Sequence, residues 1–177
     1  TDADHNTAVG YGALTTDTQG SKSTAIGRSA LAAQNFSSAT DSYNVAVGYN
    51  AGVAVTTGLR NTLIGALSGD VLTDADDNTA LAVQNFSSAT DSHNTAIGYY
   101  AGVNVTTGQY NTLIGSQAGQ TAQTAANNTF VGYGAGYNTT GSENIFIGRR
   151  SGAGAGEEVT SGAKNTIIGG YNGNQDS

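Results

Sequence analysis

A five-residue phrase recurs ten times along this chain: asparagine, threonine, a small or apolar residue, isoleucine or valine, then glycine. It stands at Asn6 (NTAVG), Ser23 (STAIG), Asn44 (NVAVG), Asn61 (NTLIG), Asn78 (NTALA), Asn94 (NTAIG), Asn111 (NTLIG), Asn128 (NTFVG), Asn144 (NIFIG) and Asn165 (NTIIG). Successive first residues lie 16 to 21 positions apart. Self-similarity at so short a period marks a protein built by stacking one unit on the next, with each unit touching only its neighbours. Such a chain has a long side and no deep interior, so function is expected on a surface and in assembly.

The common unit is 17 residues, N-T-x-[IV]-G-x-x-A-G-x-x-x-T-T-G-x-x, and the segments 44–60 and 94–110 fit it well. Glycine permits positive φ and is expected where the backbone turns a corner. Segments of five to eight residues between glycines are too short for stable helices. The unit therefore predicts an all-β parallel β-solenoid, or β-roll, of about ten coils and roughly 45–50 Å long. The whole of 1–177 reads as a single repeat domain, with coils beginning near 6, 23, 44, 61, 78, 94, 111, 128, 144 and 165.

Stacking converts sequence positions into columns. The isoleucine and valine column (Val9, Ile26, Val47, Ile64, Leu81, Ile97, Ile114, Val131, Ile147, Ile168) is expected to fill the bore. A second inward column is Ala13, Ala30, Ala51, Ala101, Ala118 and Ala135. Asparagine opens nine of the ten coils and is expected to form a hydrogen-bonded ladder. Residues 31–44 and 81–94 match at an offset of 50, and 1–8 match 73–80 at an offset of 72, so blocks of whole coils have been copied. The two 21-residue coils are expected to bulge at the surface, around 31–36 and 152–159.

Composition agrees with a narrow rod. There are 26 glycines, no cysteine or proline, and only 11% charged residues. The net charge of −7 and six scattered lysines and arginines exclude a basic stripe for nucleic acid. Apolar runs of about four or five residues predict no membrane span. The chain contains no methionine, so it is read as a processed product or a piece of something longer.

The unit N-T-A-[IV]-G-x-x-A resembles the head repeats of trimeric autotransporter adhesins. The passage from Asn128 to Gly148 (NTFVGYGAGYNTTGSENIFIG) is similar to repeats of phage tail-fibre proteins and of bacterial surface proteins that carry a trimerisation chaperone. The resemblance covers almost all of the chain. It implies a parallel β-roll, usually left-handed and trimeric, used for attachment or as a fibre shaft at a cell or virion surface. The coiled-coil stalk, membrane anchor and chaperone domain of those families are not in this sequence, and the resemblance names no ligand.

The expected partner is the chain itself, as a trimer or as a head-to-tail filament. Joining the last residue to the first would set Asn165 and the next copy's Asn6 18 residues apart, within the observed spread. A tandem fragment cut at a repeat boundary gives the same arithmetic. Tyr11, Tyr49, Tyr99 and Tyr133 share the position after the corner glycine, where they would line an interface or stack on surface glycans. Arg28 and Arg149 occupy the same column.

No catalytic set is expected. The glycine runs at 132–136 and 152–156 lack the lysine of a phosphate loop, and His5 and His93 are five coils apart. Calcium is the single cofactor candidate, at Asp74, Asp76 and Asp91, where two carboxylates one coil apart would repel unless they splay, share a proton or hold a cation. The same pair is the one place for a polysaccharide-cleaving acid and base. Thr18, Thr40, Thr56, Thr73, Thr90, Thr106, Thr139 and Thr160 form a column in which ice binding is weighed against a hydroxyl ladder; the outer rank is single and interrupted, which favours the ladder. Sequons begin at Asn35, Asn85, Asn104, Asn127 and Asn138.

Overall fold

The computed structural model describes residues 3–86, 92–152 and 160–170. Those residues contain twelve short strands and no helix: β1 Thr7–Val9, β2 Gly20–Ser21, β3 Thr24–Ile26, β4 Thr40–Asp41, β5 Val45–Val47, β6 Thr62–Ile64, β7 Thr79–Leu81, β8 Thr95–Ile97, β9 Thr112–Ile114, β10 Thr129–Val131, β11 Ile145–Ile147 and β12 Thr166–Ile168. Ten of them form one parallel sheet in chain order, β1-β3-β5-β6-β7-β8-β9-β10-β11-β12, and β2 and β4 pair separately. The register is unbroken, with each threonine beside its equivalent in the next coil, as in Thr95 with Thr112 and Thr112 with Thr129. The chain is a parallel β-solenoid.

The isoleucine and valine column does not fill the bore. Ile97 is 37% exposed while Ala96 beside it is fully buried, and the whole column lies exposed or half-buried on the outside of the sheet. The interior instead takes the middle residue of the strands: Ala25, Ala46, Leu63, Ala80, Ala96, Leu113, Phe130, Phe146 and Ile167. Successive strand side chains point to opposite faces. The asparagine at position 1 of the unit is buried, so position 3 points inward and positions 2 and 4 outward. The expected alanine column holds, with Ala30, Ala51, Ala101, Ala118 and Ala135 fully buried and Ala13 packed against them. A third inward column follows, including Val55, Leu72, Val105 and Ala122.

The bore admits a large side chain where the opposite wall has none. A Cβ on Gly136 would lie 2.4 Å from the ring of Phe130, and one on Gly152 would lie inside the contact distance of Phe146. Those two phenylalanines stack at 5.1 Å and 10°. Ala-Gly in the unit is thus the space for the bulky bore residue.

The asparagine ladder is present and buried. Asn61 donates its backbone N–H to Asn44 Oδ1 at 2.9 Å, Asn78 to Asn61 at 3.0 Å, Asn94 to Asn78 at 3.0 Å, Asn111 to Asn94 at 3.0 Å and Asn128 to Asn111 at 3.1 Å. The amide groups also close the turn within their own coil, as Asn111 Nδ2 does on the Ala125 carbonyl at 2.8 Å. At Ser23 the shorter side chain is supplemented by Gln34, which donates to Ser23 Oγ at 2.8 Å and to Asp17 at 2.6 Å, and accepts from Asn44 at 2.9 Å.

Gln34 also corrects the expected surface bulge. Leu31 and Gln34 are fully buried and Phe36 nearly so, so the extra residues of this coil enter the interior. The other expected bulge lies outside the described residues from 153 to 159. The copied text at 81–94 is threaded differently: Leu81 is in a strand, and Ala82 takes the corner position with φ 133°.

One position is poorly matched. Asp70 Oδ1 and, at the equivalent place three coils on, Gln120 Oε1 are buried with no hydrogen-bond partner. Burial raises the Asp70 carboxyl above its ordinary value. Val53 and Val103 stand at the same position in other coils. Asp70→Val is therefore expected to stabilise the rod by about 1 kcal/mol at pH 7, since an orphaned polar atom is removed. A carboxyl with a raised folded-state pKa binds more protons when folded, so the parent gains stability as pH falls through the window above 3.8. The gap between variant and parent should narrow there, as read by chemical denaturation at pH 7 and at pH 4.5.

Candidate functional site

The longest regular surface is the outward face of the ten-stranded sheet. Each strand contributes two outward positions, and none of them carries a charge. One column is threonine at Thr7, Thr24, Thr62, Thr79, Thr95, Thr112, Thr129 and Thr166, interrupted by Val45 and Ile145. The other is the isoleucine and valine column displaced from the bore. Backbone groups of the strands are tied to the neighbouring coils, whereas the hydroxyls of these threonines have no protein hydrogen bond among the described residues. They point to solvent.

Two borders flank this face. After the corner glycines stand Tyr11, which is 82% exposed, and Tyr49, Tyr99 and Tyr133, each about half exposed. Arg28 lies 5.5 Å over the Tyr49 ring and donates to its hydroxyl at 3.2 Å; Arg149 lies 5.8 Å over Tyr133. Both arginines thus contact tyrosines of their own chain. Tyr99 and Tyr100 meet at 4.0 Å, and their hydrogen bond raises the Tyr99 phenol above its usual range.

The opposite border is the residue before each asparagine, a column that the repeat consensus left blank. Its members adopt left-handed φ, including Lys22, Tyr43, Arg60, Asp77, His93 and Tyr110. Arg60 forms a two-point ion pair with Asp77 at 2.6 and 2.8 Å, which holds the Asp77 carboxyl below its ordinary value. His93 lies 3.5 Å from Asp77 and stacks on Tyr110 at 4.9 Å. Lys22 reaches Asp41 at 2.6 Å and Tyr43 at 3.2 Å. The signal is present in the sequence, because every residue at this one offset except Asn127 is charged or aromatic.

Two of the three expected calcium residues, Asp74 and Asp76, lie among the described residues. Asp74 is exposed and accepts from Thr73 Oγ1 at 3.0 Å, while Asp76 Oδ1 holds the Leu59 N–H at 2.7 Å. Asp91 lies outside the described residues, among which no group of three histidine or acidic side chains is arranged to hold a metal. The glycine run at 132–136 is a turn, with Gly132, Gly134 and Gly136 all at positive φ. Most of the run at 152–156 lies outside the described residues.

The T-T-G threonines serve the backbone. The N–H groups of Thr106, Thr107 and Gly108 converge on the Gln123 carbonyl, and Thr106 Oγ1 adds a bond at 3.0 Å. Thr56 and Thr140 repeat this on Thr73 and Thr160, while Thr139 is buried. Among the sequons, Asn35 and Asn127 are exposed and Asn104 and Asn138 half-buried. Asn85 is fully buried and bonded to Ser68 and Ala96, so a glycan does not fit there in the folded chain.

No family model, curated protein or solved structure matches this chain. None of the described helical content is long and apolar enough to cross a membrane, there being no helix among the described residues.

Proposed function

We propose that this chain is a non-enzymatic structural segment of an extracellular fibre, which associates side by side with further copies of itself and serves attachment at a cell or virion surface. The observation that carries this reading is the pair of borders running along the rod, one bearing four exposed tyrosines and the other a mixture of charged and aromatic side chains. Tyrosine brings large rigid contact area to an interface while its hydroxyl stays wet. Two rods laid parallel and in register bring the residue before each asparagine against the residue after each corner glycine of the neighbour. That sets Tyr43 beside Tyr49, His93 beside Tyr99 and Glu143 beside Arg149; Lys22 falls beside Arg28, but Lys22 is paired with Asp41 and Arg28 with Tyr49 in their own chain. The resemblance to adhesin heads and tail-fibre repeats supports the same reading.

Sedimentation velocity over a concentration series tests it. The parent is expected to associate, and Tyr99→Ser with Tyr133→Ser should weaken association by about tenfold or more, aromatic anchors being worth about 2 kcal/mol each at interfaces. A parent that stays monomeric at every concentration contradicts the proposal. A surface glycan held on Tyr11 and its neighbours is the competing use of this border, and a glycan array reads it separately.

A further inference from the structure

The sheet between the two borders has a feature that a protein partner does not explain. From Thr62 to Thr129 five successive coils present an outward threonine, in unbroken parallel register, beside an outward aliphatic side chain. The five hydroxyls have no protein partner among the described residues. The whole face is roughly 43 Å by 12 Å, about 500 Å² by strand spacing and rise. Two copies laid face to face would bury about 1,000 Å², short of the roughly 1,200–2,000 Å² of stable interfaces. They would also dry out a rank of hydroxyls whose partners across the seam are limited to the other copy's threonine hydroxyls.

Water meets those hydroxyls without that penalty. Hydroxyls one coil apart are separated by about 4.8 Å, so a water at about 2.8 Å from both subtends roughly 118°, near the tetrahedral angle. Each gap in the rank is therefore sized for one bridging water, and the next hydroxyl continues the row at the same interval. The threonine methyls and the isoleucine column supply an apolar floor that water covers without bonding to it. No charged side chain stands on the face to impose a competing hydration shell.

The geometry points to an ordered-water surface: the Thr62–Thr129 rank and its isoleucine column bind a plane of crystalline ice. This is independent of the self-association reading, which uses the borders and leaves the sheet open. It also differs from Thr56, Thr106 and Thr140 of the T-T-G turns, whose hydroxyls are tied to backbone carbonyls.

Ice-crystal growth in a nanolitre osmometer, with the purified chain, tests the inference. The parent is expected to shape crystals and to hold a gap between melting and growth temperatures. The double variant Thr95→Lys with Thr112→Lys places two charged, protruding chains on the flat face and should lower that activity about tenfold or more, because projections exclude a planar partner. Thr107→Lys, exposed on another side of the rod, should retain it. Thermal melting of both variants checks that the solenoid persists. A parent that neither shapes nor slows ice up to its solubility limit overturns the inference, as does equal loss in Thr107→Lys. Neither result bears on the sedimentation test of the borders.

Discussion

Replacing Asn111 by alanine is expected to destabilise the rod by about 2–6 kcal/mol, the largest effect of any single change to a polar side chain. Asn111 is buried; its Oδ1 accepts from the backbone and side-chain nitrogens of Asn128, and its Nδ2 donates to Ala125. Alanine orphans the Asn128 N–H and the Ala125 carbonyl at once, while Asn94 Oδ1 keeps the backbone N–H of residue 111, and each buried orphan costs about 1–3 kcal/mol. Aspartate keeps the acceptor and loses the donors, so it also leaves a buried charge without a partner. The same alanine change at Asn165, at the edge of the described stack and partly exposed, should cost about half as much, since water reaches the freed groups there. Equilibrium unfolding in denaturant reads both.

The corner glycines give the second large effect, and one coil supplies its own reverse experiment. Gly115 has φ 129°, and a Cβ there would stand 2.4 Å from the Gly132 carbonyl oxygen of the next coil. Gly115→Ala is expected to cost about 2–4 kcal/mol, combining backbone strain with that approach. Ala82 already bears this conformation, at φ 133°. Ala82→Gly should therefore stabilise by about 1 kcal/mol or more, relief of strain exceeding the entropy that glycine loses on folding. Opposite signs for these two changes, measured as shifts in melting temperature, identify the corner position. Equal signs would mean that the coil at Asn78 is threaded otherwise.

The architecture was legible because each level of the sequence agrees with it: one period, one corner residue, one ladder residue. The alanine column and the asparagine ladder were read correctly from those columns. The face of the isoleucine column was not, although the information was present. A buried asparagine at position 1 and an inward residue at position 4 are separated by an odd number of strand positions, which alternation forbids. Hydrophobicity alone points Ile97 inward, while parity puts Ala96 inside and Ile97 on the outer face. The same parity turns the Thr95 and Thr112 hydroxyls outward, whereas those of Thr56 and Thr106 bond to a carbonyl of the next coil. The borders are half legible: Tyr99 and its equivalents follow a corner glycine, whereas Arg60, Asp77 and His93 share an offset but no common residue type. Copied text misled too, because 31–44 and 81–94 share nearly all their residues yet meet the corner at different points.

The central claim is that this rod presents its Thr-x-Ile sheet outward and keeps the middle residue of each strand inside. The chain has no cysteine, so a single introduced thiol reports its own position. Labelling rates with a small thiol reagent, compared between Ala96→Cys and Ile97→Cys in the native state and in denaturant, test the claim most directly. The account predicts prompt native labelling of Ile97→Cys and labelling of Ala96→Cys only after unfolding. Protection of Ile97→Cys with a reactive Ala96→Cys would contradict it.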